Sequence, residues 1–219
     1  MIYLKKLNNE SDFAKVVNLR VDIERILLES ERVLSFDVEV NNGVSAWLQM
    51  SDDMISKKLL GWKPPLSSFL ENKDEKWTSR CHQTYRECKI NNFLNCNCFE
   101  AFDTLCYDMP YTNKILRDLK MFKSFISIIP PNYSINSHQD SQPKLHIPLE
   151  TNEDIYFSVD VHSIEHNKKT GQKLSMHLPN DGGVYYVNTR KWHSVNNMSN
   201  KNRIHISGDI SPCMIELLN

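Results

Sequence analysis

Three side chains of this sequence could share one metal ion: His138 and Asp140, two residues apart, and His193, far along the chain. In an extended segment residues i and i+2 point to the same side, so one imidazole and one carboxylate can meet the same ion. His193, in the run Val187-Asn-Thr-Arg-Lys-Trp-His-Ser-Val, is the best distant partner. Two histidines and one carboxylate leave coordination positions open, which suits non-haem iron(II) with a chelating co-substrate and dioxygen. Taken alone, H-x-D is a weak signal in a chain with eight histidines. A solvated turn histidine and a turn or capping carboxylate are the plainer alternatives.

Arg203 strengthens the metal reading. It follows His193 by 10 residues, across the polar turn Met-Ser-Asn-Lys-Asn. A hairpin there would bring both side chains onto one inner face of adjacent strands. A guanidinium in that place can pair bidentately with the distal carboxylate of a diacid. The competing reading is a surface arginine in a salt bridge.

Such residues need a rigid frame, and the sequence changes texture near residue 121. Beyond it, short runs rich in β-branched and aromatic residues alternate with turn-formers. The candidate strands are Lys123–Ile129, Leu145–Leu149, Ile155–Val161, Lys173–Leu178, Gly183–Asn188, His193–Asn196 and Arg203–Ile210. Many short strands with regular turn signals predict an all-β sandwich or barrel, a jelly roll being the double-sheet option. Before residue 121 the pattern is mixed and mostly helical. Apolar positions over 12–33 form a helical stripe that Ser11 or Asp12 could cap. Shorter helices are expected at Asp52–Leu60, Phe99–Cys106 and Asn113–Leu119. The resulting organisation is a mostly helical extension over 1–120 packed on a core over 121–219, together one compact unit.

Composition bounds the function. With 219 residues and 40% hydrophobic residues, a sizeable core is available. The formal net charge is -1, which argues against a sequence-independent grip on nucleic acid. No apolar run is long enough to span a bilayer, and the polar start lacks the apolar core of a signal peptide. A cytoplasmic protein with reduced thiols is therefore expected. Five of the six cysteines, Cys81, Cys88, Cys96, Cys98 and Cys106, cluster near His82, while Cys213 stands apart. Their spacing does not match paired zinc knuckles, so small buried thiols are preferred over a zinc site.

The segments S-H-Q-D-S-Q-P-K-L-H-I-P-L-E-T-N, G-G-V-Y-Y-V-N-T-R-K-W-H-S-V-N-N-M-S and R-I-H-I-S-G-D resemble the aspartyl/asparaginyl β-hydroxylases. These are a branch of the 2-oxoglutarate/iron(II) oxygenases that also includes bacterial free-proline hydroxylases. The likeness runs from Phe122 to Asp209, and the H-x-D … H … R order carries it. It implies a mainly β, cupin-like double-stranded β-helix, in which His138, Asp140 and His193 match the iron ligands. Arg203 matches the arginine on the distal carboxylate of 2-oxoglutarate, Ser127 a serine that helps hold it, and His146 a histidine near the co-substrate. Lys144 sits where an arginine is common, a departure within the co-substrate set. Vertebrate-type members have glycine in place of the carboxylate ligand, so Asp140 places the chain nearer the bacterial branch and argues against halogenation.

The resemblance implies iron(II), 2-oxoglutarate and dioxygen as cofactors, and hydroxylation of an amino-acid side chain, free or in a peptide, Asp/Asn/Pro-like. The rivals are the same chemistry on another small metabolite or a nucleobase, a jelly-roll binding module without turnover, and a cupin-like zinc or manganese enzyme. Other residues carry less. His162, His166 and His177 read as surface or strand-edge histidines, and His205 as pocket-lining or packed. Trp192 reads as core, and Arg190 and Lys191 as loop charges near the pocket mouth. The aromatics Phe99, Phe102, Tyr107 and Tyr111 read as core or a wall of the substrate pocket.

Overall fold

The computed structural model describes residues 12–16, 19–37, 44–47, 49–50, 104–105, 108–140, 142–161 and 170–210. The elements in chain order are β1 (Phe13–Lys15), α1 (Ile23–Asp37), β2 (Val44–Trp47), β3 (Gln49–Met50), β4 (Thr104–Leu105), α2 (Pro110–Asp118) and β5 (Phe122–Ile129). They continue as β6 (Tyr133–His138), β7 (Lys144–Glu150), β8 (Ile155–Asp160), β9 (Lys173–Met176), β10 (Tyr185–Val187), β11 (His193–Asn197) and β12 (Arg203–Asp209).

Two antiparallel sheets dominate. One has six strands in the order β1-β10-β7-β12-β5-β2, the other four in the order β6-β11-β8-β9. From β5 onward the chain passes back and forth between them: β5, β7, β10 and β12 fall in the first, β6, β8, β9 and β11 in the second. That winding is the double-stranded β-helix, or jelly roll, as the sequence resemblance implied.

Alternation along the strands gives the six-stranded sheet two unlike faces. The outer face carries Ala14, Ile126, Ile128, Leu145, Ile147, Leu149, Tyr186, Ile204 and Ile206. These pack with Ile26 of α1 and with Ile115 and Leu116 of α2 in one cluster. A second cluster lies between the sheets, with Phe13, Ile129, Tyr185 and Val187 meeting Phe157, Val159 and Val195. The helices are tied together before they cover the sheet. Glu29 of α1 accepts hydrogen bonds from the backbone N–H of Tyr111 and Thr112, at 2.9 and 2.8 Å. It thereby satisfies orphan donors at the start of α2, where Pro110 sets the first turn.

The structure departs from the sequence expectations in five places, the first being Val44–Trp47, an edge strand paired with β5 where no strand was expected. Residues 12–33 are not one helix: Phe13–Lys15 is an edge strand paired with β10, and α1 starts at Ile23. Phe13 packs inward and Ala14 outward, so a period of two fits these apolar residues as well as a helical one. Asp22 supplies the cap, its Oδ1 accepting the Arg25 N–H at 3.0 Å. Thr104–Leu105, inside an expected helix, pairs with Gln49–Met50 instead. The strand β6 was not anticipated, because its sequence Tyr-Ser-Ile-Asn-Ser-His is polar and only half buried. Finally, β11 and β12 do not form a hairpin. The turn between them crosses from the four-stranded to the six-stranded sheet. The expected helix at Asn113–Leu119 is present as α2. The expected helix at Asp52–Leu60, the cysteines and His82, together with Phe99, Phe102, Tyr107, His162 and His166, lie outside the described residues.

Candidate metal and co-substrate site

His138 ends β6 and His193 begins β11, and the two residues pair directly across that ladder. Their rings lie 4.2 Å apart between centroids. Asp140, just beyond β6, meets both: its Oδ1 is 3.9 Å from His138 Nε2 and its Oδ2 is 3.7 Å from His193 Nε2. Each of the three residues offers one ligand atom, and these atoms all lie within 4.8 Å of one another. Both imidazoles are oriented from behind. His138 Nδ1 is 2.8 Å from the Asn136 carbonyl, and His193 Nδ1 is 3.0 Å from that of Lys191. A carbonyl only accepts, so the ring proton sits on Nδ1 and the Nε2 lone pair is left for a ligand. This is how outer partners fix metal-binding histidines.

The loop between β10 and β11 sets the remaining geometry. The Asp140 N–H donates to the Thr189 carbonyl at 2.8 Å, and Gln139 Nε2 donates to the Arg190 carbonyl at 3.0 Å. Lys191 is buried, with its ammonium on Asp12 and on the Val161 carbonyl. It is therefore a structural ion pair and not the solvated loop charge its sequence context suggested. Trp192 is half-buried, and His177 Nδ1 bonds the Ile155 carbonyl at 2.9 Å.

Electrostatics keep the three residues ready for a cation. Burial opposes charge on Asp140, but Lys144, His193 and His138 outweigh it and hold the carboxyl below its ordinary range. Burial also pushes His193 down to about 4, despite the opposing pull of Asp140. A metal needs neutral imidazoles and an ionised carboxylate, and His193 and Asp140 are in those forms at neutral pH.

The inner face of β12 carries the next group. Arg203 is 3% exposed, and its guanidinium lies over the Phe157 ring at 5.3 Å. The same ring stacks on His193 at 6.2 Å and meets His146 edge-on at 4.8 Å. Phe157 is thus the shared neighbour of His193 and the guanidinium. Among the described residues no carboxylate pairs with Arg203. Burial alone pulls it down to about 9, so it stays cationic at neutral pH. An uncompensated buried ion costs several kcal/mol, and a bound anion would remove that cost.

Two histidines stand beside the guanidinium. Arg203 Nη2 donates to His205 Nδ1 at 2.8 Å. Arginine can only donate, so His205 carries its proton on Nε2. That Nε2, like the Nε2 of His146, is buried without a hydrogen-bond partner among the described residues. Burial and the nearby Arg203 keep both rings neutral. His146 Nδ1 is held by Ser207 Oγ at 2.8 Å. Ser127 stands opposite His205 in the β5–β12 ladder, and its hydroxyl reaches the His205 carbonyl at 3.5 Å. A buried cation, orphaned imidazole nitrogens and a hydroxyl form a donor set that fits a carboxylate. Lys144 is placed differently from the rest of this set, with its ammonium between Asp140, at 3.5 Å, and Asp209. Asp209 escaped the sequence reading. Its only signal was parity: it shares the strand face of Arg203, His205 and Ser207.

A family model described as aspartyl/asparaginyl beta-hydroxylase matches residues 20–212. No curated protein matches the sequence. Among solved structures, an oxidoreductase of the 2OG-Fe(II) oxygenase family from Burkholderia pseudomallei has 14% identity and a TM-score of 0.49, with 92% of this chain and 84% of that one covered. HygX from Streptomyces hygroscopicus, with nickel and 2-oxoglutarate bound, has 10% identity and a TM-score of 0.44, covering 91% and 82%. A cupin domain from Bordetella pertussis Tohama I has 17% identity and a TM-score of 0.32, covering 40% and 79%.

Proposed function

This chain belongs to the aspartyl/asparaginyl β-hydroxylase family and is a non-haem iron oxygenase, and from that premise we propose a residue-level account of its reaction. His138, Asp140 and His193 hold iron(II). Arg203, with the Nε2 nitrogens of His146 and His205 and the hydroxyl of Ser127, holds the carboxylate end of 2-oxoglutarate far from the metal. The prime substrate is an amino-acid side chain, free or in a peptide, of the Asp, Asn or Pro kind. The observation that carries this reading is the convergence of three ligand atoms within 4.8 Å, with a buried guanidinium one aromatic ring away.

When bound, iron and its co-substrate would supply the oxidising chemistry, coupling conversion of 2-oxoglutarate and dioxygen to succinate and carbon dioxide with insertion of the second oxygen atom into a C–H bond. The protein supplies position and dryness. The Asn136 and Lys191 carbonyls keep the imidazoles facing inward. The Asp140 backbone, bonded to Thr189, keeps the carboxylate with them. Arg203 fixes one end of the diacid so that the other must point toward the triad, which sets orientation before reaction. Phe157 packs between the two ends and excludes water there.

The test is succinate formation from 2-oxoglutarate with iron(II) and dioxygen, run across free amino acids and short Asp-, Asn- and Pro-containing peptides. A gain of one oxygen atom in one class, matched by succinate, supports the reading. Oxygen insertion into a non-amino-acid substrate only would overturn the substrate assignment, and no succinate under any condition would overturn the co-substrate assignment.

A further inference from the structure

Asp209 has no part in the account above, yet it is as buried as Arg203, at 3% exposure. It stands directly across from Lys144 in the β12–β7 ladder. The Lys144 ammonium donates a hydrogen bond to it, and Lys123 Nζ lies 3.9 Å from its other oxygen. Lys144 also faces Asp140 Oδ2, at the longer distance of 3.5 Å. That same oxygen is 3.7 Å from His193 Nε2. One ammonium thus has two carboxylates in reach, and the nearer is the one outside the triad. An ammonium and a divalent cation compete for a shared carboxylate oxygen, and in a buried site that competition is strong.

We propose that Asp209 is a positioning residue: it draws the Lys144 ammonium away from Asp140, to 3.5 Å, so that the carboxylate stays open to a metal. This role rests on the reading of His138, Asp140 and His193 as ligands. It also gives Lys144 a task different from holding the co-substrate. Removing Asp209 leaves Lys144 with Asp140 as its one carboxylate partner among the described residues. Lys123, the other cation beside Asp209, is on the far oxygen.

The test measures Mn(II) binding to the full chain, without 2-oxoglutarate, from the electron paramagnetic resonance signal of free Mn(II). Asp209→Asn should weaken binding by about 10–100-fold, the usual cost of losing an outer partner at a metal site. Lys144→Met should bind within about threefold of the wild type, or tighter, since a competing cation is gone. The double variant should recover to within about threefold of the wild type, a rescue that a merely structural role for Asp209 would not give. Asp209→Ser is read the same way should the asparagine variant not fold. Unchanged binding in Asp209→Asn overturns the proposal, as does a double variant that binds as weakly as Asp209→Asn. A His193→Ala arm separates the two levels: wild-type binding there removes the ligand reading itself, whereas lost binding there with unchanged Asp209→Asn removes only the role of Asp209.

Discussion

The two faces of the six-stranded sheet are built from the same strands and do opposite work. Outward, Ile204 and Ile206 of β12 join Ile126, Ile128, Leu145, Ile147 and Leu149 under the two helices. Inward, the residues between them are Arg203, His205, Ser207 and Asp209, and their neighbours on β7 are Lys144 and His146. Both faces are buried. The outer one is closed by apolar contact, while the inner one holds a cation without a carboxylate and imidazole nitrogens without partners among the described residues. A fold gains nothing in stability from such unpaired polar groups, as distinct from the apolar cluster beside them. The contrast therefore separates what holds this protein together from what it is for.

The largest expected effect is on chemistry. His193→Ala and Asp140→Ala should each abolish substrate-stimulated succinate formation while the thermal transition persists, because neither residue belongs to the outer cluster. Turnover retained in both would break the assignment of function to the inner face. On the outer face the pattern should invert. Ile206→Ala or Ile147→Ala should cost about 2–5 kcal/mol in a denaturant titration, with 2-oxoglutarate affinity of the folded protein unchanged. Arg203→Met sharpens the comparison further. It should reduce 2-oxoglutarate affinity by about 30-fold or more, as expected for removing one partner of a buried charge pair. It should also leave stability equal or higher, because an unpaired buried ion is gone. A marked loss of stability in Arg203→Met would show that the guanidinium serves the fold.

A further effect concerns acid. His193, His146 and His205 are held neutral below the ordinary histidine range, chiefly by burial. The unfolded chain therefore takes up more protons than the folded one as pH falls through the ordinary histidine range, about 6.5. Stability from these three sites is present above that pH and is lost progressively toward pH 4, where His193 itself would charge. Each site adds about 1.4 kcal/mol per pH unit within its window. Urea unfolding at pH 7, 6 and 5 should show this slope, and His205→Gln should reduce it by one proton. An unaltered slope would mean that His205 is not buried neutral.

Much of this was legible in the sequence, but unevenly. The strand pattern of β5 and of β7 to β12 follows from alternation of β-branched residues with turn-formers, a local signal. The H-x-D, the distant histidine and the arginine were readable through type and spacing. Other features were not. β1 hid inside an apolar stripe that fits either period. β6 hid because only half of it is buried, so its polar residues read as turn. The relation of β11 to β12 was missed because a short polar turn looks the same whether it closes a hairpin or bridges two sheets. Asp209 and Lys191 acquire their roles only through partners remote in sequence, Lys144 and Asp12, which no local pattern announces.

The most direct test of the inner face is a crystal soaked with Mn(II) and an inert 2-oxoglutarate analogue, with the metal located by anomalous diffraction. One metal peak in contact with His138, Asp140 and His193, and the analogue's far carboxylate on Arg203, is the result expected. A metal bound elsewhere, or a carboxylate that leaves the guanidinium untouched, would contradict it.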